Sequence, residues 1–148
     1  MDSYERYEKN CKKIRKQNAI LLKKFAAYLE EKKLSAKTIN KHCSNVEFYI
    51  NEFLLYEDET EAADGAESIE MFLGYWFIRK AMWSSPAAIK ENASSLKTFY
   101  KFMFENGNTS KESLDGMKQQ IKDNMPEWIA TMERYDDPDI EDSEEIWG

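Results

Sequence analysis

Histidine, cysteine, glycine and proline are all scarce in this sequence, and their scarcity limits what the chain can do. The 148 residues include one histidine, two cysteines, five glycines and three prolines. With so few chain breakers, and with abundant Lys, Glu, Ala, Leu, Met and aromatic residues, the composition favours helices over strands. Hydrophobic residues make up 42% of the chain and aromatics 14%, which is enough to fill the core of one domain.

No stretch of the sequence is both long and apolar. A membrane-spanning helix needs about 20 consecutive apolar residues, and the polar N-terminus also lacks the apolar centre of a secretion signal. We therefore expect a cytoplasmic protein. In that reducing compartment, Cys11 and Cys43 are expected to be free thiols in or near the core rather than a disulfide.

The sequence also lacks the motifs that carry catalysis or metal binding. It contains no CxxC, no HExxH and no glycine-rich phosphate loop. His42 and Cys43 are neighbours in a predicted helix, where successive side chains point about 100° apart, so they cannot easily address one metal or one substrate. The acidic clusters at 57–61 and 136–145 lack the spacing and the closing glutamate of a calcium loop. We predict no enzymatic activity, no cofactor and no metal.

The net charge of -7 conceals four blocks of alternating sign. Residues 1–48 carry 12 basic and 6 acidic side chains, and residues 80–122 carry 7 basic and 4 acidic ones. Residues 49–79 carry 1 basic and 8 acidic side chains, and residues 123–148 carry 1 basic and 10 acidic ones. The acidic total therefore does not exclude a locally basic surface that binds phosphates.

A long amphipathic helix is predicted from Ser3 to about Lys33, because apolar residues recur there at spacings of three and four. Its outer face is basic, and Asn18 interrupts its apolar seam. A polar residue in such a seam can fix the register of a helix pair, in which case the first half of the helix projects from the domain. Alternatively, this half packs along its own domain, and we favour that interpretation.

A second and a third helix follow. Ser35 is a typical N-cap and begins a helix that runs to about Tyr56. Residues 57–67 (EDETEAADGAE) predict a solvated acidic loop. Residues 68–82 predict a helix so dense in apolar side chains that most of its circumference should be buried.

A fourth helix begins at Ser85, an N-cap, with Pro86 at the first helical position. Gly107 is expected to end it by adopting a left-handed conformation. Two short helices are predicted after it, at about 110–124 and 126–134. The prediction is thus one all-α domain, a bundle of four main helices plus one or two short C-terminal helices.

Beyond this domain of residues 1–135, the segment 136–148 (DDPDIEDSEEIWG) is almost entirely acidic and has no periodicity. It predicts a disordered tail. Ile146 and Trp147 at its end are similar to a short docking motif, although a frayed terminus is an equally good interpretation.

Lysines recur on the outer faces of the second and fourth predicted helices. The second helix presents Lys37 and Lys41, with Ser44, on the side opposite Ile39 and Cys43. The fourth carries a longer row at spacings of four, three and four, namely Lys90, Ser94, Lys97 and Lys101. Rows of lysine that begin near helix N-termini can bind phosphates, helped by free N–H groups and the helix dipole. Lysines also form the solvent face of any amphipathic helix, and periodicity alone favours that simpler interpretation.

Three groups of apolar positions follow one another in a particular order. They are residues 34–39 (LSAKTI) with Tyr49, Phe53 and Leu54; Ile69, Phe72 and Leu73 after the acidic loop; and residues 85–89 (SPAAI) with Leu96, Phe99, Tyr100, Phe102 and Gly107. Over residues 20–108, their order and spacing resemble the core-binding domain of tyrosine recombinases, the phage integrases.

That resemblance implies an orthogonal, SAM-like bundle that forms one half of a clamp around duplex DNA and contacts phosphates through its second and fourth helices. The DNA contacts it implies are Lys37, Thr38, Lys41, Lys90, Ser94, Lys97 and Lys101. In such recombinases a separate catalytic domain cleaves the strand, and nothing similar to it occurs in this sequence. The expected protein is therefore a non-catalytic DNA-binding relative, truncated or a fragment, with a role in DNA recombination or integration.

A protein–protein interaction module is the alternative function. Such a module would dock on a partner, or pair with a second copy as a homodimer, through the seam of the first helix. The apolar residues at the end of the acidic tail, Ile146 and Trp147, offer a second docking element.

Overall fold

Five helices make up the part of the chain that the structure describes. The structure is a computed structural model and describes residues 2–136. In chain order the helices are α1 (Ser3–Glu31), α2 (Ala36–Glu47), α3 (69–80), α4 (Pro86–Glu105) and α5 (Lys111–Asp136). No strand occurs within residues 2–136. The prediction of an all-α bundle is confirmed.

Two of these helices contain π-helical turns, which the periodicity of the sequence does not predict. The regular geometry of α2 ends at Glu47, and the chain continues as a π-helical segment, Phe48–Phe53. Likewise, α3 consists of Ile69–Met71, a π-helical segment Phe72–Trp76, and Phe77–Lys80. The wider turns change the direction of the side chains that follow, so several aromatic rings of α2 and α3 share one interface.

Side-chain caps begin α2 and α4 where the sequence predicts them. The Ser35 Oγ accepts a hydrogen bond from the Thr38 N–H (3.2 Å), and the Ser85 Oγ accepts one from the Ala88 N–H (3.0 Å). Each cap satisfies one of the N–H groups that the first helical turn leaves free. Gly107, just after α4, has a φ of 77°, a conformation that glycine adopts without strain.

Aromatic side chains fill the core between the helices. Phe25, Tyr49, Phe72, Phe99 and Tyr100 are among the largest fully buried residues. The rings of Phe25 and Phe99 meet edge to face at 5.3 Å between centroids, and those of Tyr49 and Phe72 do so at 4.8 Å. Pairs of this kind add about 0.5–1.5 kcal/mol to what their buried area contributes.

The first half of α1 packs along its own domain. Cys11 and Ile14 form an apolar cluster with Leu55. Asn18 is buried, and its Nδ2 donates a hydrogen bond to the Ile50 carbonyl (3.3 Å). The polar residue in the seam is therefore satisfied inside the domain, and this half of α1 does not project from it.

A single helix, α5, occupies the region where two short helices are predicted. It continues without a break through Pro126. A proline inside a helix removes one hydrogen bond and ordinarily kinks or breaks the helix. Ile121 before the proline and Trp128 after it are both buried in the core, so packing on the other helices holds the segment together. The boundary predicted at this proline is wrong.

The acidic segment 57–67 is only partly a solvated loop. Ala62, Gly65 and Ala66 are buried, within two short 3₁₀ turns. The Tyr49 hydroxyl donates a hydrogen bond to the Gly65 carbonyl (2.5 Å), and the Tyr100 hydroxyl donates one to the Ala62 carbonyl (2.8 Å). Small residues alternate with acids here, so the backbone lies against two tyrosines while the acids remain in solvent.

The remaining differences concern the ends of elements. α1 and α3 each end two residues before their predicted ends, which is within the usual uncertainty of helix boundaries. The predictions for the acidic tail, with Ile146 and Trp147, lie outside the described residues.

Candidate nucleic-acid interface

α2 and α4 lie side by side and are joined by polar side chains. His42 Nδ1 lies 2.7 Å from the Ser95 Oγ, and Asn45 Nδ2 donates to the same Oγ (3.0 Å) and to Glu91 Oε2 (3.0 Å). The Lys41 Nζ lies 3.1 Å from Glu91 Oε1. Position 45 meets both 91 and 95, and position 42 also meets 95, so residues 41–45 of α2 cross residues 91–95 of α4. Phe48, just after α2, packs on Trp83, just before α4, with 5.1 Å between the ring centroids.

The lysine row predicted on α4 lies on the exposed face of that helix. All four of its members are exposed: Lys90, Ser94, Lys97 and Lys101. The row covers about 16 Å of the helix axis, since an α-helix rises 1.5 Å per residue. On α2, Lys37 is exposed near the N-terminus, one helical turn before Lys41, which contacts Glu91 of α4.

One of the predicted contacts, Lys41, is neutralised by a neighbour. Its ammonium group forms an ion pair with Glu91, and this is the one ion pair described within residues 2–136. A hydrogen bond from Asn45, the ion pair with Lys41 and the nearby His42 all lower the pKa of Glu91, so the carboxylate is ionised at neutral pH. Within residues 2–136, none of the other four lysines of the two rows forms an ion pair of this kind.

Thr38, also predicted as a DNA contact, is half-buried at the start of α2. Its hydroxyl lies 3.0 Å from the Ser35 Oγ, and its N–H donates to the same atom. These contacts engage Thr38 in the helix cap. A phosphate contact by Thr38 stays a prediction, with less support from its geometry than the exposed lysines have.

The acids of residues 57–70 line other parts of the surface. Glu59, Glu61 and Asp64 share a hollow with Lys13 of α1. Glu67 and Glu70 share a groove with α5, and Glu57 and Asp58 share one with the aromatic end of α2 and with α3. These acids therefore offset part of the positive charge of α1. The grooves that they line lie beside α1, α3 and α5 rather than beside the lysine rows of α2 and α4.

His42 is half-buried between the two helices, and burial lowers the pKa of its imidazole. The neighbouring Lys41 lowers this pKa as well, whereas Glu91 acts in the opposite direction. The neutral ring, held by Ser95, is thus the form that the folded chain favours.

This environment predicts a loss of stability in mild acid. Because the pKa is lower in the folded chain, the unfolded chain binds more protons, and stability falls as the pH drops below the ordinary value of 6.5. We expect His42→Gln, which can still bond to Ser95, to reduce the fall in Tm between about pH 7.5 and about pH 5.5. Equal pH dependence in the variant and the wild type would show that His42 titrates as it does in the unfolded chain.

Neither cysteine has the surroundings of a reactive thiol. Cys11 is buried and Cys43 is half-buried, and both are free. Burial, with the charge of Glu47 adding to it, raises the pKa of the Cys43 thiol and so disfavours the nucleophilic thiolate. In the part of the chain that the structure describes, no three metal-ligating side chains come together.

α3 exposes more apolar surface than its sequence predicts. Met71 is 58% exposed and Tyr75 is 53% exposed, so burial on most of the circumference is wrong for this side of the helix. The two residues are four positions apart and lie outside the stripe that includes Ile69, Phe72 and Trp76. That spacing is the signal from which a second apolar face could have been recognised.

Comparison of the chain with protein-family models, curated proteins and solved structures gives no match. The likeness to recombinase core-binding domains therefore depends on the residues themselves. Within residues 2–136, no helix has an apolar stretch long enough to cross a membrane.

Proposed function

We propose that this chain is a non-catalytic DNA-binding module that contacts the phosphates of duplex DNA through α2 and α4. The observation that carries the proposal is the contact of Lys41, Asn45 and Glu91 between these helices. Lys37 lies one helical turn before Lys41, and Lys90 lies beside Glu91, so this contact supports one surface that carries lysines of both helices. The resemblance to recombinase core-binding domains implies phosphate contacts through the same two helices.

Electrostatics favours an anion near the N-terminus of each of these helices. The N-terminus of a helix carries about half a positive charge and has N–H groups free to donate. Lys37 and Lys90 lie within the first two turns of α2 and α4, so each helix has a lysine beside this partial charge. Phosphates are the groups of duplex DNA that such a surface recognises.

The acidic total charge is compatible with this surface. At an ionic strength of about 0.1 M, charges more than about 10 Å apart are largely screened in solvent. The acids of residues 57–70 line grooves beside α1, α3 and α5, so we expect them to weaken the field at the lysine rows less than acids within the rows would. They also disfavour DNA on those other faces, which restricts the orientation of the duplex.

The binding that follows is weak and largely independent of sequence. Lysines that meet phosphates position a protein on DNA but read no bases. Such a module, acting in the cytoplasm, would serve DNA recombination or integration by holding the duplex.

A salt titration of DNA binding tests the proposal. Each phosphate contact releases counterions, and four free lysines predict that log K falls with log salt at a slope of roughly -3.6. Polarisation of a labelled duplex, measured with the full chain at several salt concentrations, gives this slope. Binding that does not change with salt, or no binding at about 50 mM salt, would contradict phosphate recognition.

Glu91→Gln is expected to strengthen DNA binding. Glutamine can still accept the hydrogen bond from Asn45, but it releases Lys41 from its ion pair. A fifth phosphate contact steepens the salt slope to roughly -4.5 and tightens binding about tenfold at about 50 mM salt. Glu30→Gln, an exposed residue of α1, changes the net charge equally and should leave the slope unchanged.

A further inference from the structure

A second surface, of opposite charge, lies where the end of α2 approaches α3. A hollow of about 290 Å³ opens there, and Tyr56, Tyr75, Trp76 and Met71 contribute to its lining. Tyr56, Tyr75 and Met71 are among the most exposed large apolar residues of the chain. Exposed apolar side chains grouped in this way are typical of interaction surfaces.

Both π-helical segments contribute aromatic side chains to this hollow, Phe53 from the first and Tyr75 and Trp76 from the second. The ring of Trp76 packs edge to face on Phe53 (5.4 Å between centroids) and on Tyr56 (5.7 Å). The Trp76 Nε1 is buried and has no hydrogen-bond partner within the described chain. π-helical turns are frequent at functional sites, where they place side chains that a regular helix would direct elsewhere.

Carboxylates surround the aromatic floor. Glu57 and Asp58 line the hollow itself. Met71 and Tyr75 also line the neighbouring groove, where Glu67, Glu70 and Glu127 provide further negative charge. The two depressions therefore form one continuous surface with an apolar floor and an acidic rim, which we call the aromatic–acidic groove.

Cations of the chain itself already lie on its rings. The guanidinium carbon of Arg79 is 4.1 Å from the centroid of the Tyr75 ring, and the Lys80 Nζ is 5.5 Å from that of Tyr56. These distances are typical of cation–π contacts. One face of each tyrosine is thus occupied by a cation of the chain, which shows that both rings suit positively charged groups. A ligand cation must replace these contacts or use another part of the surface.

We propose that the aromatic–acidic groove binds a peptide segment rich in arginine or lysine that belongs to a partner protein. The carboxylates of its rim attract cations, and its rings hold the planar guanidinium of arginine particularly well. DNA is excluded as the ligand, because the carboxylates of the rim repel its phosphates. The chain's own residues 136–148 are excluded for the same reason, because they are almost entirely acidic. This proposal is independent of DNA binding by α2 and α4.

The test uses a labelled alanine-based peptide with arginines at helical spacing, and polarisation of its fluorescence reports binding to the full chain. We expect Glu57→Gln with Asp58→Asn to weaken binding about tenfold, since both carboxylates of the hollow lose their charge. Tyr56→Leu, which keeps an apolar side chain but removes the ring, should weaken binding about five- to tenfold.

A matched control separates this site from the general attraction of an acidic protein. Glu30→Gln with Glu31→Gln removes the same charge from exposed positions of α1 and should change the affinity by less than about twofold. Equal losses in the two double variants would overturn the proposal. Equally strong binding of the same peptide with glutamine in place of arginine would also overturn it. A dimer that Tyr56→Leu dissociates in sedimentation would assign the groove to a second copy instead.

Discussion

Lys90→Glu combined with Lys97→Glu is expected to weaken DNA binding by at least about hundredfold at about 50 mM salt. Each phosphate contact contributes roughly 0.9 to the slope of log K against log salt, which corresponds to about tenfold in affinity at this salt concentration. The variant loses two such contacts and places two repelling charges on the α4 row, one at its start and one in its middle. Its salt slope should fall from roughly -3.6 to roughly -1.8.

The matched control reverses the charge of two lysines on α1 that have the same spacing. Lys9 and Lys16 are exposed and seven residues apart, as Lys90 and Lys97 are. Lys9→Glu with Lys16→Glu produces the same net charge and should weaken binding by less than about threefold, because distant charges are screened. If the two double variants bind DNA equally weakly, then net charge governs the interaction and α4 has no special role.

Gly65→Ala is expected to destabilise the fold by about 2–4 kcal/mol. A Cβ at this position would lie 2.5 Å from Leu54 Cδ1 and 2.5 Å from the Tyr100 hydroxyl. That hydroxyl donates to the Ala62 carbonyl, and both groups are buried. To accommodate the methyl group, the chain must either move the 3₁₀ turns or leave a buried donor and acceptor unpaired.

Gly116→Ala is the control, and it is expected to change the stability of the fold in the opposite direction. No heavy atom lies within 4 Å of a Cβ at Gly116, which is exposed inside α5. Alanine should therefore stabilise the helix by about 0.5–1 kcal/mol. Chemical denaturation followed by circular dichroism measures both values. A Gly65→Ala variant as stable as the wild type would contradict the packing of this segment on the two tyrosines.

The elements that local chemistry determines are the ones predicted correctly. Ser35 and Ser85 cap helices because a serine hydroxyl reaches the N–H three residues ahead, whatever the rest of the fold does. Gly107 ends α4 because of its own conformational freedom. The exposure of Lys90 and Lys97 follows from their spacing opposite a buried stripe, which is also a local property.

The features that depend on distant partners are the ones predicted incorrectly or not at all. α5 continues through Pro126 because its apolar side chains pack on other helices, and no local pattern reports that packing. The π-helical turns depend on aromatic rings of α2 and α3 that are far apart in sequence. The ion pair of Lys41 with Glu91 depends on which sides of α2 and α4 meet, so the spacing of the lysines could not indicate that one of them is neutralised.

Mapping of a DNA duplex onto the chain by NMR tests the central claim most directly, because amide shifts identify the face that the duplex contacts. The account predicts that adding duplex DNA at low salt shifts the amides around Lys37 and around Lys90 to Lys101, and that these shifts disappear as salt is added. Shifts confined to the basic face of α1, around Lys9 and Lys16, or no shifts at all, would contradict it.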